Sequence, residues 1–198
     1  MNWYAPLKLS MPIYDVYHGT GNTGSIYDQN FSYSYIGNGN EDYGPGFYFT
    51  NDLPTSERYI KDGPSPGVIK AKVNLSSPIE VNGLDNNSFF EKFPKLDRDQ
   101  VTDMLDLSLS TFGDDFLSNW GDVDFEGREV VVQKVINNYT NRSMMTAIYD
   151  FFQEDTKQAF DYIRRQFGYD GIVVSFNKGI KTIVSWFPEQ INITMENI

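Results

Sequence analysis

Cysteine is absent from the 198 residues. That excludes disulfide cross-links, thiolate metal sites and a cysteine nucleophile. Histidine occurs once, as His18. Cations are scarce: 16 Lys and Arg stand against 27 Asp and Glu, a net charge of -11. Such a chain repels phosphate backbones unless its few cations cluster, so a nucleic-acid partner is disfavoured. The tight basic pair Arg164-Arg165 lies near the end of an expected helix, where it complements the helix dipole. No apolar run approaches the roughly 20 residues of a membrane span. The start, Met1-Asn2-Trp3-Tyr4-Ala5-Pro6, lacks a basic segment followed by an apolar one, so no signal peptide is expected. These absences lead to the expectation of a cytoplasmic protein without a membrane partner. Asn138-Tyr139-Thr140 has glycosylation spacing, but without a secretion signal it reads as chance.

What is present is a globular composition, 40% hydrophobic and 16% aromatic, in a length that suits one domain over residues 1–198. Ile13–Tyr17 reads as a strand leading into His18, Gly21–Ser25 as a turn, and 28–45, rich in Asn, Gly, Ser and Tyr, as a loop. Phe47–Thr50 is a short aromatic strand. Asp52 or a neighbour caps the next helix, with Pro54 in its first turn and an end near Lys61. Val68–Leu75 alternates, with Ile69, Ala71 and Val73 on one face, and Pro78–Val81 is a second short strand. Residues 84–167 are mostly helical: Phe89-Phe90 and the apolar residues from Val101 to Leu109 suggest one or two helices. Val130–Val135 fits either a strand or a buried helix. Ile148, Phe151, Phe152, Ala159, Phe160, Ile163 and Phe167 form a helical stripe that ends at Gly168. Three strands follow, Gly171–Phe176, Lys181–Trp186 and Ile191–Thr194. The expected fold is α+β: a split antiparallel sheet in which N- and C-terminal strands meet, with a helical insertion over 84–167.

Two motifs carry chemistry. Tyr17-His18-Gly19-Thr20 closes the first strand, and a glycine there lets a ligand approach the backbone. Gly44-Pro45-Gly46-Phe47-Tyr48-Phe49-Thr50 follows about 25 residues later. Alternation puts Phe47 and Phe49 on one face of that strand and Tyr48 on the other. Ser56 and Tyr59 fall eight and eleven positions after Tyr48, at helical i and i+3. Two tyrosines around a cationic ring are mutually favourable.

This set of spacings resembles the NAD-binding signature of the ADP-ribosyltransferase superfamily, in the branch similar to poly(ADP-ribose) polymerases and diphtheria toxin. The stretch Tyr35–Phe49 resembles the loop of ADP-ribosyltransferase domains in phage and mobile-element polyvalent proteins. Gly168-Tyr169-Asp170-Gly171-Ile172-Val173 and Phe187-Pro188-Glu189-Gln190-Ile191 are similar to that group's last strands. The resemblance implies NAD as co-substrate, with no metal. It implies that His18 bonds the adenine-ribose hydroxyl and that the Gly19 backbone pairs with the nicotinamide amide. Tyr48 and Tyr59 would flank the nicotinamide and Ser56 would bond its carboxamide, with Thr20 and Gly46 beside them in the NAD-binding set.

One position departs from the pattern. The usual glutamate stands eight residues before the glutamine of the last motif, and that position is Thr182. A hydroxyl can hold the ribose but brings no charge to the opening glycosidic bond. Glu41 or Asp42 in the long loop could supply the acid, as could Glu189 in another register, or the acceptor itself. The implied activity is mono-ADP-ribosylation of a protein, with nicotinamide released and chain elongation disfavoured. The resemblance also suggests a phage or bacterial protein that modifies a host or defence component. NAD hydrolysis, or a catalytically silent module that binds NAD or ADP-ribose, uses the same residues. RNA 2'-phosphotransferases share a similar fold but want basic residues for phosphate, which suits this acidic chain poorly.

Overall fold

The computed structural model describes residues 12–36, 42–83, 93–152 and 155–194. They fall into two compact units, one from the segments Met1–Leu84 and Phe160–Ile198, the other from Asp85–Ala159.

The first unit is built on a seven-stranded sheet. Its strands are β1 (Ile13–Thr20), β2 (Phe47–Thr50), β3 (Gly67–Asn74), β4 (Pro78–Asn82), β5 (Gly171–Ser175), β6 (Lys181–Ser185) and β7 (Ile191–Thr194), in the order β4-β5-β6-β2-β1-β3-β7. N- and C-terminal strands therefore interleave, as expected. All pairings are antiparallel except β4 with β5. A parallel pair requires a long crossover, and the chain between Asn82 and Gly171 supplies it. β3 alternates as the sequence predicts: Ile69, Ala71 and Val73 are fully buried, while Lys72 faces solvent and pairs with Asp15. The core around these residues takes in Val16, Phe31, Phe47, Phe49, Val173 and Ile183.

The sheet is split in its middle. β1 and β3 pair along all eight residues, but β1 and β2 share only the pair Tyr17 with Thr50. Continued in register, His18 would face Phe49 and Gly19 would face Tyr48, yet the ladder stops. Unpaired main-chain groups at such a break need other partners or an opening onto solvent.

Two short helices border the opening. α1 (Thr23–Gln29) is capped by Asn22, whose Oδ1 accepts from Ser25 N–H at 3.1 Å. The sequence reads as a turn there, because Gly24 and Ser25 are poor helix formers; the cap and the buried Ile26 outweigh that preference. α2 (Leu53–Glu57) is capped by Asp52 with Pro54 in its first turn, as predicted. It ends at Glu57 rather than near Lys61. Tyr59 and Ile60 N–H donate to Ser56 O and Glu57 O, so the last turn tightens to i, i+3 bonds. Within the expected loop, Tyr33–Tyr35 forms a 3₁₀ turn.

The C-terminal motifs are structural joints. Asp170 is buried, and its carboxylate accepts from Ser76 N–H, Ser76 Oγ–H and Ser77 N–H at 2.6–2.9 Å. Gln190 Oε1 accepts from Ser185 Oγ–H and Phe187 N–H, and its Nε2 donates to Asp170 O. Together they lock the starts of β4, β5 and β7.

The second unit is helical. α3 (Arg98–Phe112) opens with a reciprocal capping box between Asp97 and Gln100. A 3₁₀ segment (Gly113–Asn119), α4 (Val123–Glu126), α5 (Arg128–Tyr139) and α6 (Met144–Phe152) follow. Val130–Val135 is helical: Val131 and Val135 are fully buried four residues apart while Val130 is exposed. Phe89-Phe90 lies outside the described residues. The apolar stripe from Ile148 to Phe167 is two helices, α6 and α7 (Thr156–Phe167); Asp155 caps the second, which belongs to the first unit from Phe160 on. α7 stops at Gly168, in the left-handed region at φ 74°, with Arg164 and Arg165 in its last turn.

Candidate active site

The opening between β1 and β2 is a cleft of about 290 Å³, lined by Tyr17–Asn22 from β1 and its end, Gly46–Thr50 from β2, Ser56 and Tyr59 around α2, and Thr182 on β6. Its volume is at the lower end of the roughly 300–1,000 Å³ of small-molecule pockets.

His18 bridges the break in the sheet. Its Nδ1–H donates to Tyr48 O at 2.7 Å, so a side chain does what the missing ladder would have done. The ring packs edge-on against Phe31 at 5.2 Å and beside Phe49 at 5.6 Å. Burial lowers its pKa below 6.5, against the smaller raising effect of the Tyr48 carbonyl. The imidazole is thus held neutral, with Nδ1 protonated and the Nε2 lone pair left as an acceptor.

Gly19 has a packing role that the sequence reading missed. A Cβ there would lie 2.0 Å from Ser56 O and 3.1 Å from Ile60 N. The residue is glycine because the backbone of α2 rests on it. Thr20 continues the wall, and its Oγ1 accepts from Asn22 N–H. Gly46 is fixed as glycine twice: its φ is +153°, and a Cβ would meet Val184 Cγ1 at 2.4 Å.

Tyr48 is only partly buried between the buried Phe47 and Phe49, as alternation predicts. Its hydroxyl donates to Gly44 O at 2.6 Å and accepts from Tyr43 N–H at 2.9 Å. The Tyr43 ring stacks beside it, centroids 6.5 Å apart and planes 23° from parallel. Ser56 is buried, and its hydroxyl donates to Leu53 O at 2.7 Å, which leaves the oxygen free to accept. Tyr59 is 52% exposed at the rim, in the turn after α2.

The acid question divides cleanly. Thr182 lines the cleft and pairs with Thr50 across β6 and β2. Asp42 is exposed and lines it too, the one carboxylate among the described lining residues. It also helps to raise the pKa of the Tyr43 hydroxyl, after the larger effect of burial. Glu41 lies outside the described residues. Glu189 is not part of the site: it is exposed, it pairs with Arg164 at 3.3 Å, and Arg164 in turn covers the Phe187 ring. Tyr43 and Lys61 line the cleft and were not singled out in the sequence, although Tyr43 stands inside the Tyr35–Phe49 stretch.

A family model described as ADP-ribosyltransferase in polyvalent proteins matches residues 11–198. The chain belongs to this family. No curated protein and no solved structure gives a significant match. ADP-ribosyltransferases use NAD as co-substrate, and the open, mostly antiparallel sheet agrees with their fold. Among the described residues no group of three or more His, Asp or Glu side chains is placed to hold a metal ion, and no helix is long and apolar enough to cross a membrane.

Proposed function

We propose that this ADP-ribosyltransferase moves a single ADP-ribose from NAD to a protein side chain and releases nicotinamide. The observation that supports it best is the convergence, in one cleft, of His18, Gly19, Tyr48, Ser56, Tyr59 and Thr182 from four separate parts of the chain. The neutral His18 accepts a ribose hydroxyl at Nε2. The Gly19 main chain and the Ser56 oxygen hold the carboxamide, beside Thr20 and Gly46. Tyr48 and Tyr59 flank the cationic ring. Thr182 orients the ribose, and Asp42 supplies negative charge near the reacting carbon. The bond from ribose C1 to the ring nitrogen breaks, and nicotinamide leaves with the electron pair. A bond from C1 to the acceptor forms, and the acceptor's proton passes to solvent.

The absence of a carboxylate at position 182 disfavours polymer growth, which wants a base for an incoming ribose hydroxyl. The same absence favours a second reading, a module that binds NAD or ADP-ribose without turnover; NAD hydrolysis is the case in which water is the acceptor. Residues 1–198 act as one domain, with 84–167 as a helical insertion. The resemblance to mobile-element proteins supports a phage-encoded enzyme that acts in the cytoplasm on a host or defence protein. Calorimetry with NAD, run beside a nicotinamide-release assay on the unsubstituted protein and Ser56→Ala, tests the reading. Binding with release, both weakened in Ser56→Ala, is expected. Binding without release selects the silent module, and no binding removes NAD from the account.

A further inference from the structure

The cleft belongs to a strongly acidic protein, yet NAD carries a dianionic diphosphate. A cationic side chain in the lining would offset that repulsion. His18 does not, because burial holds it neutral. Asp42 adds repulsion. Lys61 is the one lysine or arginine among the described residues that line the cleft.

Its position is built rather than incidental. The segment from Ser56 to Gly63 lies on the end of β1 through three glycine contacts. A Cβ on Gly19 would strike Ser56 O, one on Gly21 would sit 2.9 Å from Lys61 O and 3.0 Å from Asp62 O, and one on Gly63 would sit 2.2 Å from Gly21 O. Ser65 N–H donates to Gly21 O and closes the clamp at 3.1 Å. Any side chain at these glycines would push the segment away. The clamp fixes the Lys61 backbone beside Gly21, at the end of the strand that carries His18, and two residues beyond Tyr59.

We infer that Lys61 is a binding residue for the diphosphate, so that it holds the ADP-ribose half of NAD while the aromatic slot holds the nicotinamide. The inference rests on the NAD reading above and adds to it a division of labour: one cation for the phosphates, with His18 and the tyrosines serving the two ends. Because the diphosphate is common to NAD and to ADP-ribose, Lys61 binds both, and free nicotinamide owes it nothing.

The test is calorimetric titration of the full chain with NAD, ADP-ribose and nicotinamide, at low and moderate salt. The unsubstituted protein is compared with Lys61→Gln and Lys61→Arg. Lys61→Gln weakens NAD and ADP-ribose about tenfold, leaves nicotinamide unchanged, and flattens the salt dependence. Lys61→Arg retains most of the affinity. Equal NAD affinity in Lys61→Gln and the unsubstituted protein overturns the inference and leaves the NAD reading standing. An equal loss for nicotinamide overturns it as well, since the substitution then acts through the shape of the cleft. If the unsubstituted chain binds nicotinamide but neither phosphate-bearing ligand, the NAD reading falls and Lys61 with it.

Discussion

The 2.7 Å bond from His18 Nδ1–H to Tyr48 O spans the gap at which the β1–β2 ladder ends. One side chain of the cleft wall thus ties β1 to β2. Either protonation state can make the bond to Tyr48 O, but only the neutral ring leaves Nε2 as an acceptor, and burial favours that form by lowering the pKa from 6.5. Because His18 is the sole histidine, its titration can be followed without ambiguity. In an NMR titration the single imidazole Cε1–H resonance should move with a midpoint below 6.5. The linkage has a definite sign. Above 6.5 the ring is neutral in folded and unfolded chains alike, and its contribution is complete. As pH falls from 6.5 to the folded-state pKa, the unfolded chain takes up the proton first and stability is lost. A midpoint at or above 6.5 contradicts the half-buried, neutral imidazole.

Gly19→Ala tests whether the glycine serves packing. The added methyl would stand 2.0 Å from Ser56 O, so α2 must shift. Overpacking of this kind costs about 1–3 kcal/mol. Thermal denaturation should show a melting temperature lower by several degrees. NAD affinity should fall too, because Ser56 and Tyr59 move with the helix. An unchanged melting temperature would mean that the contact relaxes freely.

Tyr48→Phe keeps the ring and removes the hydroxyl that joins Tyr43 N–H to Gly44 O. Each lost neutral hydrogen bond costs about 0.5–1.5 kcal/mol. Faster amide exchange at Tyr43 is expected, with NAD still bound through the aromatic face. If exchange at Tyr43 is unaltered, the hydroxyl does not hold that turn.

Thr182 offers a gain-of-function test. If this position does the work that a glutamate usually does in similar sequences, Thr182→Glu should raise nicotinamide release about tenfold or more, and Thr182→Ala should lower it. No response to either change would mean that Thr182 does not touch the ribose.

The motif spacings made His18, Tyr48, Ser56 and Tyr59 legible in the sequence, and one cleft gathers all four. The alternation of β2 and β3 was legible because one face of each strand is fully buried. The cap of α2 could be read because Asp52 and Pro54 act within their own turn. Less local features were hidden. Nothing near Gly19 in sequence says that a helix some 37 residues later rests on it. Asp170 and Gln190 read as family motifs, and their work in joining three strands depends on partners up to 94 residues away. α1 was missed because a side-chain cap at Asn22 overcomes weak propensity. Lys61 carries no motif at all; only the chain crossing at Gly21 brings it to the cleft.

The most direct test of the account is intact-mass spectrometry of the purified chain mixed with NAD and a bacterial lysate, with free nicotinamide quantified in the same tubes. His18→Ala and Tyr48→Ala run in parallel. The account predicts one ADP-ribose mass added to a protein, an equivalent release of nicotinamide, and loss of both signals in the two variants. Adduct and nicotinamide that persist undiminished in both variants would contradict it.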